Sequence, residues 1–165
     1  MDWYAVHTKP RQEHRALVNL ERQGYQCYLP LLIVEKIRQK RVVPTEEPLF
    51  PRYLFISLDS SMTGKSWGPI RSTLGVSRLV SFGQDPTRVD PALIDLLRQH
   101  DAVRHEAPQR LFERGEAVVI REGPFAGIQA VYQMADGESR AMVLLEILSK
   151  PTSLKIDVSS LRKAG

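Results

Sequence analysis

Pro48-Leu49-Phe50-Pro51-Arg52-Tyr53-Leu54-Phe55-Ile56 reads as the entry into a β-strand that is apolar on both faces. In period two, Leu54, Ile56 and Leu58 point one way while Tyr53 and Phe55 point the other. A single core cannot cover both sets, so the aromatic side needs a further partner.

Outward from this strand, Trp3 to His7, Cys27 to Val34 and Val76 to Phe82 also read as strands. Thr8 before Pro10 predicts an N-cap and a helix running to Gln23, with Gly24 ending it. Alternation from Glu35 to Val43 predicts hairpin arms, and Leu93, Leu96 and Leu97 mark a short amphipathic helix over Pro91 to Gln99. This order describes a sheet flanked by helices. The polar stretch Gln99 to Arg110 reads as a linker, which divides the chain into residues 1–100, a linker at 101–111 and a second domain at 112–165. In the second domain, Glu116 to Ile120 and Ile128 to Met134 read as strands, with turns at Glu122-Gly123-Pro124 and Asp136-Gly137, the pattern of a small barrel.

The chain has 165 residues, 42% apolar and 25% charged, enough to fold without staples. Its single cysteine, Cys27, excludes an internal disulfide framework and suits a reducing compartment, with the cytoplasm the expected location. No apolar run reaches the ~20 residues that span a bilayer, and the first residues lack the order of a signal peptide. The net charge of +4 lies entirely in residues 1–100, so a polyanion would meet that part.

Little points to catalysis. Gly64-Lys65-Ser66 resembles the tail of a phosphate loop, but Asp59 stands where the first glycine is needed. His7, His14, His100 and His105 lack ligands at metal spacing and read as polar surface, and Cys27 sits in an apolar stretch that suits an inert thiol. The expectation is a monomeric binding protein, not an enzyme, without metal or cofactor.

Two basic features suit polyanions. Arg11, Arg15 and Arg22 fall within about 40° on a helical wheel, opposite Ala16, Leu17 and Leu20. Lys36, Arg38, Lys40 and Arg41 form a second cluster, which equally suits protection of a sheet edge.

Trp3-Tyr4, Lys9, Leu20-Glu21-Arg22-Gln23, Cys27, Leu29-Pro30, Glu35-Lys36-Ile37, Glu47-Pro48-Leu49-Phe50-Pro51, Tyr53-Leu54-Phe55 and Gly75-Val76 resemble, in this order, the N-terminal domain of the NusG family of transcription elongation factors. Gly115, Val118, Gly123-Pro124-Phe125 and Gly127 resemble its KOW motif. Within the family the chain is most similar to the specialised RfaH-type paralogues. The resemblance implies an α+β protein: an N-terminal α/β sandwich with a mainly antiparallel sheet, and a C-terminal KOW domain. It implies an operon-specific antitermination factor that suppresses pausing and termination, the alternatives being a general elongation factor with a permanent barrel and a polymerase-independent RNA-binding or ribosome-binding KOW protein.

Its implied partners are the β′ clamp helices of bacterial RNA polymerase, the nontemplate DNA strand, the β gate loop and a small ribosomal subunit protein. Tyr53 and Phe55, with Phe50 and Leu54, correspond to the polymerase patch; Lys9, Arg15, Arg22, Gln23 and Thr73 correspond to DNA contacts, and the arginine stripe adds Arg11. Ser61 to Trp67 replaces the gate-loop motif of the specialised type, and Leu74 replaces a basic residue.

The tail reads two ways. Ala141, Leu144, Leu145 and Leu148 make a helical face, whereas Val143, Leu145 and Ile147 fit a strand. The resemblance implies a helical hairpin in which Leu144, Leu145 and Leu148 cover the patch, latched by Glu47 and Arg140 and able to refold as a barrel. Taken as exposed, that ion pair would add only ~0–1 kcal/mol.

Overall fold

A computed structural model describes residues 1–59, 67–106, 125 and 127–150. The central sheet has the order β2 (Gln26–Tyr28), β5 (Tyr53–Leu58), β1 (Asp2–Thr8) and β6 (Val76–Leu79), with β7 (Arg88–Val89) pairing the start of β1. Every pairing is antiparallel. A separate ribbon joins β3 (Leu31–Arg38) to β4 (Arg41–Pro48). The helices are α1 (Glu13–Arg22), α2 (Gly68–Arg71), α3 (Pro91–Glu106), α4 (Ile128–Val131) and α5 (Gly137–Ser149).

Period-two alternation divides the apolar residues between two cores, one on each face of the sheet. Leu54, Ile56 and Leu58 of β5 join Tyr4 and Val6 of β1, Ala16 and Leu20 of α1, and Ile70 of α2. Phe55 and Ala5, register partners, face the other way and join Leu93, Ile94 and Leu97 of α3. That second core is completed by Ile128 and Val131 of α4 and Leu144, Ile147 and Leu148 of α5. The α/β sandwich expected from the sequence is present, and the described part of the tail is helical.

Five local readings change. The first helix starts at Glu13 after Gln12, not after Thr8, because Arg11 takes a left-handed φ of 62° that no helix can include; Thr8 instead ends β1. The strand expected from Cys27 to Val34 splits at Leu29-Pro30, since Pro30 has no N–H for a ladder and its carbonyl accepts from Leu49 N–H at 2.8 Å. The helix expected to stop at Gln99 runs to Glu106, through residues read as linker. Buried His100 and the Tyr28 hydroxyl bonded to Asp101 hold this extension onto the body. The strand expected over Ile128 to Met134 is the short helix α4. Finally, Asp136-Gly137 is a helix start rather than a hairpin turn: Asp136 accepts from Glu138 N–H at 3.2 Å and from the Ser139 hydroxyl at 2.8 Å. Those bonds lower the Asp136 pKa. The expected strand Glu116 to Ile120, most of the KOW motif and residues Ser61 to Ser66 lie outside the described residues.

Candidate functional site

Phe50 and Phe55 meet edge to face with ring centroids 6.4 Å apart, both fully buried. Tyr53, half-buried, packs against the same core and lies 5.1 Å from the His7 ring. The tail shares in burying this patch with α3: Leu144 and Leu148 belong to the same core as Leu93, Ile94 and Leu97, and Leu145 packs against it. Leu54 does not belong here. As alternation requires, it is fully buried in the opposite core, under α1.

Arg140 changes the expected latch most. Its side chain is 0% exposed, so it is not a surface ion pair. Nε donates to the Leu49 carbonyl at 2.7 Å, Nη1 to the Met134 carbonyl at 2.8 Å and Nη2 to the Glu47 carboxylate and, at 3.4 Å, to the Pro48 carbonyl. The other Glu47 oxygen lies 3.3 Å from Lys36 Nζ. A planar guanidinium has the fork geometry to serve all these acceptors at once. Removing Glu47 would cost about 3–5 kcal/mol, because the Arg140 charge would stay buried.

The tail also fits sterically. Gly137, the first residue of α5, stands so close to Pro51 that an added Cβ would lie 2.6 Å from its ring. Tyr132 stacks on His100 with centroids 4.6 Å apart, which gives His100 a packing role instead of the expected surface one.

The prospective DNA face lies on the other side of the sheet. Lys9, Arg11, Arg15, Arg22 and Gln23 are exposed, but Arg11 sits in the turn before α1 and drops out of the helical stripe. Thr73 is buried; its hydroxyl accepts from Gln23 Nε2 at 2.7 Å and donates to the Pro69 carbonyl at 2.8 Å. It props up Gln23 rather than presenting itself. Gly75, at φ 90°, lets its loop run against α1: a Cβ there would lie 2.8 Å from Ala16 N. Lys9 N–H also donates to the Gly75 carbonyl at 2.9 Å, tying these segments together.

At the rim of the aromatic patch, Arg98 lies 5.2 Å from the ring centroids of both Trp3 and Tyr28. Burial pushes the Cys27 thiol up to about 12, which fits the inert role read from the sequence. Burial, with Arg52 and Arg78 nearby, holds His7 below the ordinary imidazole range. Among the described residues there is no group of ligands that could hold a metal ion, and no helix is long and apolar enough to cross a membrane.

Sequence reasoning missed Ile128, Val131 and Ile147 as part of the cover. Ile128 and Val131 stand at helical i, i+3 spacing, but four residues are too few to separate helix from strand.

A family model described as transcription termination factor nusG matches residues 1–98. The transcription termination/antitermination protein NusG of Thermus thermophilus is 29% identical, over 99% of both chains. That of Helicobacter pylori (strain 26695) is 30% identical, over 99% of this chain and 98% of its own. A solved structure of Thermotoga maritima NusG aligns with 62% of this chain and 55% of that one, at 23% identity and a TM-score of 0.39. The family model and the Thermus and Helicobacter relatives carry the general family name, which supports the family and not its RfaH-type branch.

Proposed function

The chain belongs to the NusG family, and from that premise we propose that it is a non-enzymatic factor that binds RNA polymerase and modulates elongation and termination. The supporting observation is the patch of Phe50, Tyr53 and Phe55, whose core is shared between α3 and Leu144, Ile147 and Leu148 of the helical tail. Rigid aromatics of this kind anchor interfaces at low entropic cost. Exposed Lys9, Arg15, Arg22 and Gln23 supply phosphate and base contacts suited to the nontemplate strand.

Two finer readings differ in the state of the tail. Helical α5 clamped by buried Arg140 favours a specialised, operon-specific factor whose patch stays covered until it is recruited, after which a freed tail would engage the ribosome. The names of the relatives favour the general branch of the family, and a permanent barrel is the tail that this second reading expects.

Pull-down by RNA polymerase tests the shared claim. Tyr53→Ala should lose binding, and unchanged capture would remove the patch from the account. Arg15→Ala/Arg22→Ala should lower crosslinking to the nontemplate strand while polymerase binding persists.

A further inference from the structure

Opening the tail would remove more than apolar cover. Arg140 serves the Glu47 carboxylate and the carbonyls of Leu49 and Pro48, all on the hairpin side of the contact. Those acceptors remain when the tail leaves. Lys36 stays with one oxygen of Glu47, which leaves the oxygen that held Arg140 open. A partner that reburies Phe50 and Phe55 also desolvates Leu49, which is fully buried in the same core and follows directly on Pro48. Burying a carboxylate and carbonyls without donors is costly, so that partner must replace the guanidinium.

We propose that Glu47, Pro48 and Leu49 form an arginine receptor, and that the protein displacing the tail docks with an arginine of its own in the place of Arg140. A lysine could meet the charge of Glu47, but its compact ammonium lacks the planar fork that spans a carboxylate and two separate carbonyls. Tail and partner thereby compete for the same polar acceptors as well as the same aromatic rings. This inference rests on the polymerase-binding reading, which makes the partner's arginine one of RNA polymerase.

The test uses the full chain carrying Arg140→Ala, so that the patch is free, and RNA polymerase as the probe. Adding Glu47→Gln, which keeps shape but removes charge, should weaken binding by at least about tenfold. One polymerase arginine should be protected from phenylglyoxal by Arg140→Ala, and that protection should vanish with Glu47→Gln. Unchanged affinity, or weakened affinity without a Glu47-dependent protected arginine, overturns the proposal. Arg140→Ala/Tyr53→Ala separates the two claims: if it binds as well as Arg140→Ala, the polymerase reading itself fails; if it alone loses binding, only the arginine receptor does.

Discussion

Arg140 and Glu47, 93 residues apart in sequence, share an ion pair in which the arginine side chain has no solvent exposure. That burial makes the contact conditional. It is stable only while every donor is served, and the donors are served mainly by backbone carbonyls on both sides of the contact. The same residues in an exposed pair would hold nothing shut.

Arg140→Ala should therefore release α5, since its bonds to the Leu49 carbonyl and the Glu47 carboxylate are lost together. Hydrogen exchange checks this: amides of Gly137 to Ser149 lose protection, while those of β1 and β5 keep theirs.

Gly137→Ala should give the same release by a different route. Alanine favours an isolated helix over glycine by up to about 1 kcal/mol, yet here its Cβ would lie 2.6 Å from Pro51. Helicity of an isolated 134–150 peptide should rise while protection of α5 in the full chain falls.

Tyr53 and Phe55 should separate binding from stability. Phe55 is fully buried, so Phe55→Ala should cost about 3–5 kcal/mol in denaturant unfolding as well as polymerase binding. Half-buried Tyr53 should lose binding with little change in unfolding midpoint.

His7 should make stability fall with acidity. Its folded pKa is lowered, so the unfolded chain binds the proton more readily. The contribution is complete above the ordinary imidazole pKa and is lost as pH falls through the folded value. Between about pH 7.5 and 5, His7→Gln should show a smaller drop in melting temperature than the parent chain.

Much of this was legible in the chain. Alternation over Tyr53 to Leu58 assigned five residues to two faces correctly, and Gly24, at φ 95°, does end α1. Glu47 and Arg140 were paired by resemblance, but their burial was not legible, because it depends on Leu49 and Pro48 carbonyls far away in sequence. The tail is ambiguous for a physical reason: Val143, Leu144, Leu145, Ile147 and Leu148 are dense enough to satisfy both periods, and the helix is set by long-range packing in the core of Phe50, Phe55 and α3 together with the Asp136 cap and the Arg140 bonds. Thr73 misled because its type suits a nucleic-acid contact while its position beneath Gln23 does not.

The most direct test compares the affinity of the parent chain and of Arg140→Ala for RNA polymerase, side by side. A tail that covers the binding patch predicts clearly tighter binding by Arg140→Ala. Equal affinity would contradict it, by showing that the helices over Tyr53 and Phe55 cover nothing that polymerase needs.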